Sequence, residues 1–455
     1  MALAACDRKG IFTEAGDVGS VSIPGTFSYK DGCYTLTGAG ANLWERTDAC
    51  FFVWKEVEGD FLLTGNVAFE GEGVNPHRKI GFMIRESLEA DARYADIAIH
   101  GDGLTSLQYR EESGGLTLEK VSAKTSVGAT DIRLARVGDR ISIRTGDAGS
   151  DDAALRIDLP EKCYVGLFIC SHEEELRETA YFRNVQFAQD LPAEKGLARI
   201  SIFCDHIEAV AAQEGISFAE AATRIRDIGF TGADVRVFQR PDELRTLDSL
   251  GFSHASAITD IPYAYTDPAP IEDATLSFMQ EKGFRTLLLV PGLVPSDFSE
   301  ADRARIRSQI AAFTDRAAAQ GADVLVEDFD NPGSLCYNSA LLDSLFAVSP
   351  ALGLVFDTGN FLFCGEDALS CMEHFRPRVR HVHLKDRVSS TDMTCLPAGT
   401  GCIPVSSLVN SLASTGYSGW FTVEQYGSRN MLKDSETAYK QVLAALQSSH
   451  PVAGK

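Results

Sequence analysis

Four short apolar runs in the last third of the chain end in, or carry, groups that bind metals or move protons. VLVE ends in Glu327, LVFD in Asp357, HVHL carries His383 and FTVE ends in Glu424. A carboxylate at the end of a buried strand loses hydration at a cost of several kcal/mol unless it is paired. Three such carboxylates brought together also repel one another. A divalent cation relieves both penalties. Three carboxylates and one imidazole make a hard donor set, suited to one Mn2+, with Mg2+ or Co2+ as alternatives, rather than to a thiolate zinc site. For any one carboxylate alone, a loop cap or a local ion pair is the competing explanation.

The stretch RHVHLKD (380–386) refines this set. Side chains two apart on a strand face the same way, so His381 and His383 both point inward. A rise of about 3.3 Å per residue sets His381 a layer deeper. His383 is therefore the expected ligand, and His381 a hydrogen-bonded core histidine. Lys385 and Asp386 are expected on the loop above the ion. Glu327 and Glu424 are expected to flank a substrate as an acid/base pair as well as ligands, with Lys385 on a substrate oxygen. His206, in FCDHI, is the candidate for a third proton-transfer group or substrate contact; a solvated loop histidine is the alternative. No organic cofactor site is expected.

These residues need a frame. From Leu197 onward, strands alternate with helices: ARISIFCD, a helix capped by Ser217, TGADVRV, and so on to WFTVEQ. The clearest helix, 299–321, opens with a Ser299/Asp302 capping box and buries Ile306, Ile310 and Phe313. Eight such units in about 250 residues predict a (β/α)8 TIM barrel over 197–448, with its active site at the C-terminal ends of the strands. The chain before it reads differently. FLLTGNVAF, KIGFMIRE, YADIAIHG, TSLQYREE, DRISIRTG and KCYVGLFICS are short strands separated by Gly- and Asp-rich turns, which predicts an all-β sandwich over 1–188. The polar segment 189–196 is the expected linker.

The barrel half resembles the xylose isomerase-like superfamily of sugar isomerases and epimerases. The resemblance rests on GFTGADVRV (229–237), VEDF (326–329), FDTGN (356–360), HVHLKD (381–386), GTGCIPV (399–405) and FTVEQY (421–426). It implies that Glu327, Asp357, His383 and Glu424 are the family's metal set, and that the reaction is proton transfer next to a sugar carbonyl through an enediolate. Epimerases of the family often carry a histidine three residues after the aspartate. Here that residue is Asn360, which forms hydrogen bonds but moves no proton at neutral pH. A lyase or deglycosidase acting on 3-oxo-glycosides by β-elimination is therefore the alternative to an isomerase or epimerase, with a non-catalytic carbohydrate-binding protein as a third reading. The first half, over about 30–188, resembles concanavalin A-like sandwich domains in GAGANLWERTDACFFVW (38–54) and HRKIGFMIRESL (77–88). Trp44 and Trp54 there are candidates for sugar stacking or for plain packing.

Composition removes other classes. A formal net charge of −22 argues against a phosphate-backbone partner. A DNA-repair endonuclease on this barrel would need many histidines for a zinc cluster, and the barrel half has only His206, His254, His374, His381, His383 and His450. The expected partner is a small carbohydrate or glycoside, with neither nucleic acid nor a membrane span; a homo-oligomer stays open. Eleven cysteines without a CxxC pair predict reduced thiols in a cytoplasm. LAAC (3–6) resembles the end of a lipoprotein signal and keeps export or lipid anchoring as the alternative.

Overall fold

The computed structural model describes residues 10–122, 124–126, 128–146, 151–189, 197–237 and 241–449. The LAAC stretch, His450 and, apart from Gln189, the expected linker lie outside the described residues. The chain divides into two compact units, Met1–Leu191 and Pro192–Lys455. No helix among the described residues is long and apolar enough to cross a membrane.

In the first unit, period-2 alternation builds two antiparallel seven-stranded sheets. One runs from Glu14–Val18 through Cys50–Glu58, Lys162–Cys170, Lys79–Arg85, Tyr94–His100 and Thr105–Arg110 to Leu118–Val121. The other has Phe61–Phe69 and the long strand Glu173–Ala188 at its centre. Leu63, Leu134 and Phe182 from one sheet share a core with Phe82, Ile97 and Leu167 from the other. This is face-to-face sheet packing. Trp54 stacks on Phe52, ring centroids 5.4 Å apart, against a smaller cluster on the opposite face of its sheet. There Arg85 and Arg110, both fully buried, hold the Asp48 carboxylate.

The second unit is a closed barrel of eight parallel strands. In chain order they are β1 (Ile200–Phe203), β2 (Gly232–Arg236), β3 (Ser253–Asp260), β4 (Thr286–Val290), β5 (Asp323–Glu327), β6 (Gly353–Asp357), β7 (Val379–Leu384) and β8 (Phe421–Val423). The expected caps form. Ser217 accepts from Glu220 N at 3.2 Å, and Ser299 and Asp302 exchange both bonds of a capping box. Ile306, Ile310 and Phe313 are buried against the strands, as their spacing requires.

The barrel interior is divided. Phe203, Ile258, Leu288, Leu325 and Val355, from β1 and β3 to β6, form an apolar layer. Opposite them, β2, β7 and β8 send in Asp234, His381, His383 and Thr422, all buried. Register fixes the level of the upper groups: Asp357 lies beside His383, and His383 beside Thr422.

Candidate active site

Glu327 and Asp357 are the last residues of β5 and β6, His383 is the fifth of six in β7, and Glu424 follows β8. Inward parity and matched register bring their ligand atoms within 4.8 Å of one another. His383 Nδ1 lies 2.6 Å from Glu327 Oε1 and 3.3 Å from Glu424 Oε2. Its Nε2 points the other way, 3.5 Å from Asp234 Oδ2.

Lys385 closes the group. Its Nζ is 2.9 Å from Asp357 Oδ2, 2.7 Å from Glu424 Oε1 and 3.1 Å from Asn360 Oδ1. Lys385 follows β7 on the connecting segment, and it is buried there, with Thr358 Oγ1 bonded to both its N–H and its carbonyl. The expected place of Asp386 is corrected. It is fully buried and turned away, accepting Arg387, Gly399, Gly401 and Ile403 backbone N–H groups at 2.7–3.0 Å. The glycines of GTG are thus explained by fold: their amides are spent on Asp386, and a Cβ at Gly401 would overlap Arg387 O.

Electrostatics follow from burial and crowding. Burial pushes the Asp357 carboxyl up to about 7 against the pull of Lys385. Burial also acts to raise Glu424, but Lys385 and His383 outweigh it and hold that carboxyl far below the usual range. Burial opposes the charge on Lys385, yet Asp357 and Glu424 raise its ammonium well above the ordinary value. His383 is raised in the same way, chiefly by Glu327.

The donor set fits a divalent cation. Three carboxylates face one ammonium and one imidazole. Asp357 Oδ2 touches Lys385 Nζ but is a buried oxygen with no aligned hydrogen bond. The carboxylate of Asp234 stands behind His383, as carboxylates commonly stand behind metal-binding imidazoles. Glu327, Asp357, His383 and Glu424 are the residues that could hold the ion.

Above them opens a cavity of about 260 Å3 walled by Glu327, Glu424, Lys385, Asn360, Arg236 and Tyr426 among others. His206 does not reach it, which corrects its expected place. It sits in the helix Cys204–Glu214, buried behind Tyr426 with ring centroids 4.6 Å apart. Its Nε2 accepts the Gln425 N–H at 2.9 Å, and burial lowers its pKa to about 4, so the ring is neutral. His381 lies below His383, ring centroids 5.3 Å apart, with Nε2 2.7 Å from Thr422 Oγ1 and 3.0 Å from Asp234 Oδ2.

Sequence reasoning missed Asp234 and Arg236. Their signal was present: two charged residues at alternate positions on the otherwise apolar β2. Arg236 contacts Asp260 at 3.0 Å and Asp205 at 3.3 Å at the cavity wall.

Residues 273–449 match the family model described as xylose isomerase-like TIM barrel. An inosose dehydratase of Bacillus thuringiensis (strain Al Hakam) is 23% identical over 268 residues, which cover 50% of this chain and 88% of the relative. Among solved structures, an L-ribulose 3-epimerase aligns with TM-score 0.47 and 17% identity over 55% of this chain and 95% of that one. A xylose isomerase-like TIM barrel protein from Mycobacterium smegmatis in complex with magnesium aligns with TM-score 0.42 and 17% identity over 51% and 89%.

Proposed function

From a C-terminal unit that is a xylose isomerase-like TIM barrel, we propose an enzyme that moves a proton on the carbon next to the carbonyl of a small polyhydroxylated substrate. One observation carries this reading: three carboxylates and His383 converge within 4.8 Å, beside the Lys385 ammonium, at a cavity of about 260 Å3.

A divalent metal held by Glu327, Asp357, His383 and Glu424 would supply Lewis-acid polarisation of the substrate carbonyl. The chain's own residues do the rest. Glu327 and Glu424 come from β5 and β8 and line the cavity from different sides, so one takes the α-proton and the other returns it. Lys385 Nζ donates to the oxygen on which negative charge grows. Asn360 Oδ1 and Thr358 fix the lysine in that position. His206 positions the backbone after Glu424 through Gln425 and touches no substrate. Phe203, Ile258 and Leu288 give the cavity a water-excluding floor.

Return of the proton gives an isomer or epimer. Departure of a β-hydroxyl or β-alkoxyl instead gives elimination. The similarity to an inosose dehydratase favours the second outcome, and so does Asn360 in place of a second proton carrier. The test is incubation of Mn2+-loaded protein with ketoses, inososes and 3-oxo-glycosides in D2O. Recovered material is analysed by mass spectrometry and, after metal removal, by NMR. Deuterium at the α-carbon is expected, with enone absorbance if elimination follows. A metal-loaded protein that exchanges no α-proton across that panel contradicts the proposal.

A further inference from the structure

A second lobe of about 200 Å3 adjoins the polar cavity and shares lining residues with it. Its wall is of a different kind. Leu289, Pro291, Leu293 and Phe329 supply most of it, and Ser334 the one hydroxyl. Val290, Glu327 and Phe329 line both lobes, so the Glu327 carboxylate stands at their junction.

The lobe is a fixed feature of the fold. The segment after β4 is tied to the segment after β5: Val294 N donates to Gly333 O at 2.8 Å, and Leu293 pairs with Ser334. Ser334 N is bonded to Asn331 O at 2.9 Å. Gly292, at φ +76°, makes the turn, and a Cβ there would come 3.0 Å from Pro262 Cα. Leu293, 39% exposed at the rim, is a large apolar side chain left facing solvent.

A bare sugar gives this wall nothing to bind. Its hydroxyls would lose water against leucine, proline and phenylalanine, with Ser334 and, at the junction, Glu327 the polar side chains in return. An apolar group of ring size would gain by leaving water there. We propose that the substrate is a polyhydroxylated carbonyl compound carrying an apolar substituent, an aromatic ring or a branched alkyl group, close to the carbon that loses its proton. This rests on the proton-transfer reading above. Glu327 reaches the reacting carbon from the junction, the hydroxylated part lies toward Lys385 and Arg236, and the substituent fills the apolar lobe.

The test separates the two ideas. Mg2+-loaded protein is titrated with methyl β-D-glucopyranoside and phenyl β-D-glucopyranoside, which share the hydroxylated ring and lack the carbonyl needed for turnover. The phenyl compound is expected to bind about tenfold tighter or more. That ratio should fall to within about twofold in Leu293→Asp, where a charge stands at the rim, and return in Leu293→Met. Equal affinities, a ratio untouched by Leu293→Asp, or no detectable binding of either glycoside would overturn the inference. Deuterium exchange into phenyl 3-oxo-β-D-glucopyranoside, which carries both the carbonyl and the apolar group, is measured in parallel. Its failure beside a clear phenyl preference removes the proton-transfer reading and leaves the apolar lobe as a binding site.

Discussion

Two carboxylate–histidine groups lie one above the other in the barrel and share His383. In the lower one, Asp234 accepts from Thr422 at 2.8 Å and from Ser256, and meets His381 at 3.0 Å. Burial works to raise its carboxyl, and the two imidazoles outweigh that and hold it well below the usual range. None of its residues lines the cavity, whereas Glu327 and Glu424 of the upper group do. The upper group has three carboxylates and open space above it. The same residue types thus serve two ends. Where every charge has a partner the cluster is scaffold; where charge is in excess beside a cavity it is a site.

That contrast is open to attack by substitution. The largest effect is expected at the upper group. Glu327→Gln and Glu424→Gln should each lower turnover by roughly 10^2–10^4-fold and reduce bound metal, since each removes a ligand charge and a proton acceptor. Steady-state rates with parallel metal analysis check this, and full activity in either variant would erase the distinction.

Lys385→Met should follow, at roughly 10^2–10^3-fold in kcat. Metal content should hold, because the ammonium supplies no ligand atom. A variant that loses metal in proportion to rate would make Lys385 a structural prop of the upper group.

In the lower group, His381→Asn should cost about 3 kcal/mol of stability, the usual scale for breaking a buried pair. Denaturant midpoints read it directly. Turnover per folded molecule should stay near that of the parent.

The first unit supplies a milder comparison. His100 is buried on its sheet, where desolvation, aided by Lys79, lowers its pKa to about 4. The unfolded chain, at about 6.5, takes the proton first as pH falls. The stability carried by the neutral ring is therefore whole above pH 6.5 and is lost between about 6.5 and 4, with a slope of at most about 1.4 kcal/mol per pH unit. Melts at pH 7.5 and 5 should show this loss for the first unit, and His100→Gln should flatten it.

Strand ends carried most of the site's legibility. Glu327, Asp357 and Glu424 each end an apolar run whose period and length identify it; parity turns both His381 and His383 inward, and the rise along the strand separates them by depth. Helix caps were equally local. Asp234 was not legible as a partner of β7 and β8, because its pairing is set by barrel closure across about 150 residues or more of chain, which no local pattern encodes. His206 was misplaced for a related reason. Its helix starts at Cys204 without a side-chain cap, and the group that claims its Nε2, Gln425, is 219 residues away. Asp386 looked like a loop charge because three of the four amides that satisfy it come from 399–403. In the sandwich, six strands were visible as runs out of two sheets of seven, and the neighbours of Glu173–Ala188, Phe61–Phe69 and Cys33–Gly40, are non-local and had no signature.

Metal stoichiometry in His381→Asn and His383→Asn tests the central claim most directly. Both proteins are purified, loaded with Mn2+, desalted and analysed by elemental mass spectrometry. The account predicts about one ion per chain in His381→Asn, with lowered stability, and little or none in a folded His383→Asn. An ion retained in His383→Asn and lost in His381→Asn would contradict it, and would move the functional site down to the Asp234 layer.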